Sequence, residues 1–276
     1  MVTLERSPRD PHPLGEVVQL GERRIADQVR PLPAAEPPHR FVDEHGHPTT
    51  LPRTMGSDRV YGGTMSPDEV LVQTWRRIAG PGAVAIEAML VTRHAEPHRR
   101  YHTADHVRWV LHHVEAILAA EPRPDGAPVD DDAIRVAALF HDIVYDPRST
   151  TNETESADIA VVAVRAAHWD PARQGLVHDL IEATASHSAG SFEAAVLLDA
   201  DLAVLGAGAA SYLEYVAAVR SEYGFVDDTA WRAGRAAVLR SFLDRSRIFA
   251  TETMHADREA QARSNIATEL AQLGEH

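Results

Sequence analysis

The chain has 276 residues, of which 44% are hydrophobic, and a formal net charge of −14 at pH 7. This length and composition are typical of a soluble globular protein with one large domain or two small ones. The negative charge argues against nonspecific binding to nucleic acid polymers or to anionic membranes, because both require a surplus of positive charge. The absence of cysteine excludes disulfides, thiolate zinc sites and cysteine nucleophiles, so any metal must be held by His, Asp and Glu.

The first 65 residues differ from the rest of the chain. They are rich in Pro, Gly, His and charged residues and show no helical spacing of apolar residues, which indicates an irregular or extended N-terminal arm. A helix start follows at Ser66, where Pro67 occupies the first helical position and Glu69 completes a capping box. The sequence therefore predicts a folded unit over residues 66–276.

Apolar residues recur at spacings of three and four along nearly all of this unit, which predicts a succession of helices. No alternating apolar and polar stretch bounded by hairpin turns is found, so the prediction is an all-α domain, a helical bundle. The predicted helices cover residues 68–79, 83–94, 105–120, 131–145, 153–168, 172–187, 192–206, 209–223, 228–245 and 256–273.

Ionisable residues interrupt the apolar faces of three of these helices. His102 and His106 lie four residues apart, and the adjacent His141 and Asp142 occur in the apolar stretch "ALFHDIVYDP". Asp199 or Asp201 supplies a carboxylate in "LLDADLAVL". Burying unpaired ionisable groups is costly, and a divalent cation bound by imidazoles and carboxylates would offset that cost for all of them. His and carboxylate ligands suit Mn, Fe, Co, Ni and Zn alike.

Several separated motifs resemble the HD superfamily of predicted metal-dependent phosphohydrolases, in a bacterial branch. They are "EPHRRYHTADHV", "ALFHDIVYDPRSTTNETESA", "IEATASH", "LLDADLAVLGA" and "ARSNIATEL", in that order. The resemblance covers about residues 66–273 and implies an HD-type helical fold. It implies His106, His141, Asp142 and Asp201 as metal ligands, with Asp199 as the alternative to Asp201. Leu202 stands where better-known branches have arginine after that aspartate.

Four residues are candidates for proton transfer or charge stabilisation. Asp142 is one, and Asp146, one helical turn later, either faces the same cavity or caps the helix end before Pro147. Glu153 is either a proton-transfer group or a carboxylate placed by the helix dipole. His187 ends a helix, where the dipole favours a cation, and in the family that it resembles this position is typical of the pocket.

The expected function is hydrolysis of a small phosphorylated molecule, such as a nucleotide or another phosphomonoester, by metal-activated water. One alternative is an HD-fold di-iron oxygenase, for which His102, His168 and His187 are the additional candidate ligands. Another is a metal-binding regulatory or auxiliary protein without catalysis. No stretch approaches the roughly 18 apolar residues of a membrane span, and the N-terminus lacks a signal-peptide pattern, so we expect a cytoplasmic protein.

Overall fold

A computed structural model describes residues 65–80, 83–124 and 128–274 of the chain. Over these residues it contains ten α-helices, one 3-10 helix and no strand, which confirms the predicted all-α class. The helices are α1 (Pro67–Ala79), α2 (Val84–His94), α3 (Ala104–Ala120), α4 (Asp131–Phe140), α5 (Asn152–Ala166), α6 (Pro171–Thr184), α7 (Phe192–Asp201), α8 (Ala209–Glu222), α9 (Asp228–Leu243) and α10 (Glu252–Gln272), and the 3-10 helix Leu202–Gly206 follows α7 directly.

Side-chain caps fix the starts of several helices. The predicted capping box at α1 is present: the Ser66 hydroxyl accepts a hydrogen bond from the Glu69 N–H, and Glu69 Oε2 accepts one from the Ser66 N–H. The Asp170 carboxylate caps α6, whose first residue is Pro171. Such caps satisfy N–H groups that have no partner within the helix.

Helices α3, α4 and α7 form the centre of the bundle. α3 packs against both α4 and α7, and α4 also packs against α5, α6 and α7. Every residue of α4 from Val136 to Phe140 is fully buried, and the Phe140 ring meets the ring of Trp75 edge to face at 5.5 Å. The three helices that carry the predicted ligands therefore belong to one hydrophobic core.

The predicted helix over 192–206 is an α-helix only as far as Asp201. The α-helix ends there, and the chain continues as the buried 3-10 helix. A β-carbon on Gly206 would lie 2.6 Å from Arg258 Cβ and 2.9 Å from Arg258 O, so α10 passes too close for any side chain at this position. The Asn265 side chain donates hydrogen bonds to Leu205 O and Ala207 O, both at 2.8 Å. Packing against α10 thus stabilises a tighter turn than helical periodicity alone predicts.

The predicted N-terminal arm over residues 1–65 lies outside the described residues, apart from Met65. No single helix among the described residues is long and apolar enough to cross a membrane. The segments Phe192–Gly206 and Ala209–Glu222 are long and apolar enough only when they are counted as one, and the chain bends by 104° between them.

Candidate functional site

Three helix ends bring imidazole and carboxylate groups to one point in the bundle. His106 lies in the first turn of α3, His141 directly follows α4, and Asp201 is the last residue of α7. His106 Nε2 lies 3.2 Å from His141 Nε2 and 3.2 Å from Asp201 Oδ1. One ligand atom from each of the three residues lies within 4.8 Å of the other two, a spacing that a single metal ion can bridge.

Asp142 adds a second carboxylate to this cluster. Its Oδ2 lies 3.0 Å from His141 Nε2 and 3.4 Å from His106 Nε2. Both imidazole side chains are at least 98% buried, whereas the Asp142 side chain is 20% exposed and faces a cavity. His106, His141, Asp142 and Asp201, the four ligands that the resemblance implies, thus lie together.

The histidines and aspartates of the cluster shift each other's pKa values. Burial lowers the pKa of His141, but Asp142 and Asp201 outweigh it, so this pKa lies well above its usual value. Burial raises the pKa of Asp201, but hydrogen bonds from His106, His141 and His187 hold it well below the usual range. Burial also raises the pKa of Asp142, but His141, His102 and His106 hold it well below the usual range, so both carboxylates remain ionised.

Backbone contacts fix the direction of the His141 imidazole. Its Nδ1–H donates to the Ala138 carbonyl oxygen at 3.1 Å, which directs Nε2 into the cluster. The buried Arg99 guanidinium donates to the carbonyl oxygens of Asp142 at 2.7 Å and Ile143 at 3.2 Å. Arg99 therefore holds the turn that presents His141 and Asp142.

The donor set fits a divalent cation. Two imidazole Nε2 atoms and two carboxylate oxygens converge from three chain segments, and this mixture suits first-row transition metals. The hydrogen bond at Nδ1 of His141 is the outer contact expected of a metal-binding histidine. His106 Nδ1, by contrast, is buried with no hydrogen-bond partner.

His187 extends the cluster on the side of Asp201. Its Nε2 lies 3.2 Å from Asp201 Oδ2, and it has a left-handed backbone with φ of 47°. Arg245, which follows α9, holds this turn by donating to the His187 carbonyl oxygen at 2.9 Å. A non-glycine residue in this conformation is strained, and the turn places the His187 imidazole against the Asp201 carboxylate, facing the cavity.

Of the three other predicted carboxylates, Glu153 lies at the cavity, whereas Asp146 and Asp199 do not. Glu153, in the first turn of α5, lines the cavity, and burial raises its pKa. Asp146 is exposed and accepts a hydrogen bond from the Arg148 N–H at 2.9 Å, so it shapes a turn outside the cavity. Asp199, the alternative to Asp201, points away from the cluster and accepts hydrogen bonds from the N–H groups of Ala250 and Thr251.

Sequence reasoning missed the buried carboxylate of Glu222, at the end of α8. Glu222 Oε1 accepts hydrogen bonds from three consecutive N–H groups, those of Arg100, Tyr101 and His102. Its Oε2 accepts one from His102 Nδ1 at 2.7 Å and one from the Tyr145 hydroxyl at 2.9 Å. Glu222 thereby holds His102 at the cavity although His102 precedes the first residue of α3. No local pattern distinguishes Glu222 from an exposed charge at a helix end.

Of the three additional ligands predicted for a di-iron site, His102 and His187 line the cavity and His168 does not. His168 is exposed at the end of α5, and it is not part of the cavity lining. In residues 65–80, 83–124 and 128–274 the only group with metal-binding geometry is the one formed by His106, His141 and Asp201. The geometry therefore gives no support to a second metal position.

Comparisons of the chain with protein-family models, curated proteins and solved structures found no match. The resemblance to the HD superfamily therefore stays a prediction from the motifs. The geometry of the cluster and its cavity is the basis for inferring a function.

Proposed function

We propose that this chain is a metal-dependent phosphohydrolase that acts on a small phosphorylated molecule. The observation that carries the proposal is the convergence of His106, His141, Asp142 and Asp201 beside a cavity of about 200 Å³, which the last three of them line. A cavity of this size accommodates a small molecule, and the order of the motifs along the chain supports the same reaction class.

A divalent ion bound by these residues would acidify water and polarise a phosphoryl oxygen. Hydrolysis forms a bond between the water oxygen and phosphorus and breaks the bond between phosphorus and the alcohol oxygen. In this proposal Asp142, an ionised carboxylate beside the cavity, accepts the proton of the attacking water. Glu153, whose pKa is raised by burial, donates a proton to the departing alcohol.

His187 has a supporting part in the proposed reaction. Its Nε2 lies within hydrogen-bonding distance of Asp201 Oδ2 and so orients that carboxylate. Its ring lines the cavity near the position proposed for the phosphoryl group. Asp146 has no part in it, because its carboxylate lies in a turn outside the cavity.

The first experiment measures metal content by plasma mass spectrometry on protein purified without chelator. About one divalent ion per chain is expected, because the donors converge on a single point. A His141→Ala, Asp142→Ala double variant should lose the ion. His178→Ala, which removes a half-buried imidazole from α6 outside the cavity, is the control and should retain it.

Phosphate release from a panel of monoesters and nucleotides by the metal-loaded protein then tests the reaction itself. Turnover that the double variant lacks would support the proposal. A metal-loaded protein that releases no phosphate from any of them would contradict it and favour a regulatory or auxiliary role. About two irons per chain would instead favour the oxygenase.

A further inference from the structure

The cavity beside the cluster differs sharply between its two ends. Polar groups, among them Ser149, Thr150 and Glu153, line the end near the start of α5. The opposite side is formed by the 3-10 helix, α8 and α9. We call it the apolar wall and define it by Leu202, Val204, Val219, Val238, Leu239 and Phe242.

The apolar wall begins directly at the cluster. Leu202 follows Asp201 in the chain, and the Phe242 ring centroid lies 6.0 Å from that of His187. On the same side, the rings of Tyr101 and His106 lie 4.7 Å apart, and Tyr101 contacts Tyr215 at 4.8 Å. A molecule with one end at the cluster therefore has its other end against hydrocarbon and aromatic rings.

The charge of the cavity lining disfavours a second strongly bound anion. Asp142, Asp201 and Glu153 supply carboxylates, and Arg235 is the only arginine among the described residues of the lining. Arg235 is already neutralised by Glu269, which accepts hydrogen bonds from its Nε at 2.8 Å and its Nη2 at 3.1 Å. Both partners are buried, so the pair offers a second phosphate no net positive charge.

The size of the cavity favours a small substrate. Its volume of about 200 Å³ is below the ~300 Å³ at which sites for drug-sized ligands begin. A phosphoryl group and a short hydrocarbon chain fit within this space.

We infer that the substrate is a phosphomonoester of a small, uncharged, apolar alcohol, with the phosphoryl group at the cluster and the hydrocarbon against the apolar wall. This inference rests on the proposed phosphohydrolase function and specifies its substrate class. Water that contacts the apolar wall is released when hydrocarbon replaces it, and each buried methylene is worth about a fourfold gain in binding.

The test compares pentyl phosphate with glycerol 1-phosphate as substrates of the full-length, Mn-loaded protein. Both are monoesters of primary alcohols. Glycerol is the better leaving group, so intrinsic reactivity alone would favour glycerol 1-phosphate, which is the opposite of the result that the inference predicts. We expect a kcat/KM at least about tenfold higher for pentyl phosphate. Pentane-1,5-diyl bisphosphate, which adds a second anion, should be a poorer substrate than pentyl phosphate.

Val238→Thr gives a matched change in the apolar wall, because threonine has nearly the shape of valine and adds a hydroxyl. This variant should lower kcat/KM for pentyl phosphate severalfold more than it lowers kcat/KM for glycerol 1-phosphate. Val162→Thr, on the exposed face of α5, should alter neither value. Equal or higher kcat/KM for glycerol 1-phosphate or for the bisphosphate in the wild type would overturn the inference while leaving the hydrolase function in place.

Binding of two non-hydrolysable analogues separates the two proposals. Pentylphosphonate and 2,3-dihydroxypropylphosphonate are titrated into the Mn-loaded protein by calorimetry. Absence of turnover with every ester would contradict the hydrolase function. Tighter binding of pentylphosphonate would then still support the assignment of the apolar wall, and equal binding or none would refute it.

Discussion

Glu222→Gln keeps the size of a buried side chain and removes its charge. The Glu222 side chain is fully buried and accepts hydrogen bonds from the N–H groups of Arg100, Tyr101 and His102, from His102 Nδ1 and from the Tyr145 hydroxyl. Glutamine can still accept from the backbone through its oxygen, but it presents an amide donor toward His102 and Tyr145. The variant therefore reverses the hydrogen bond that sets the His102 tautomer.

The loss of stability can be worked out from the pKa of this carboxyl group. Burial raises it, but His102 and the N–H groups of Arg100 and Tyr101 outweigh burial and lower the pKa of Glu222 from 4.5 to about 2. A lowering of about 2.5 units corresponds to about 3 kcal/mol of stability at neutral pH. That contribution is fully present above pH 4.5 and is lost as the pH falls through about 2.

Urea unfolding of the metal-free protein at pH 7, followed by circular dichroism, measures this difference. We expect Glu222→Gln to lower the free energy of unfolding by about 3 kcal/mol. Glu214→Gln, on the exposed face of the same helix, should change it by less than about 0.5 kcal/mol. If Glu222→Gln were as stable as Glu214→Gln, the carboxylate would not hold His102 in the way described.

Three other results are expected. Burial lowers the pKa of His113 to about 3, so the wild type should lose stability as the pH falls below about 6.5. His113→Gln should show a shallower decline in urea midpoint between pH 7 and 4.5, and identical slopes would refute this reading. Gly206→Ala should lower the free energy of unfolding by about 1–3 kcal/mol through its clash with Arg258, and with it the melting temperature. Gly175→Ala, at a position inside α6 where a β-carbon meets no other atom, should raise the melting temperature slightly. A tolerated Gly206→Ala would mean that α10 can move away. Chelation should lower the melting temperature of metal-loaded wild type but not of His106→Ala, and an equal effect on both would place the ion elsewhere.

Much of the fold could be read from the sequence because it depends on local signals. Apolar spacing indicated the helices, and the Ser66 capping box is where it was expected. The pair His141 and Asp142 was conspicuous because ionisable groups in an apolar stretch need partners. What local signals could not give was the end of α7 at Asp201, which depends on packing of the following 3-10 helix against α10.

The environment of the site depends on contacts between distant parts of the chain. Glu222 is 120 residues from His102, and nothing in its own helix indicates that it is buried. Asp146 lies one helical turn after Asp142 only if the helix continues, but α4 ends at Phe140 and the chain turns instead. Sequence spacing therefore identified the cluster more readily than the groups that surround it.

The origin of the clustered donors also bears on how the protein folds. His106 and His141 are 35 residues apart, and Asp201 arrives from a third helix that must dock before the set is complete. No local fragment can assemble these donors, so high metal affinity should appear only when α3, α4 and α7 have packed together. A bound ion would link the three helices much as a covalent cross-link does, and its escape would require at least one of them to separate. The rate of ion release would then report the opening of the core itself.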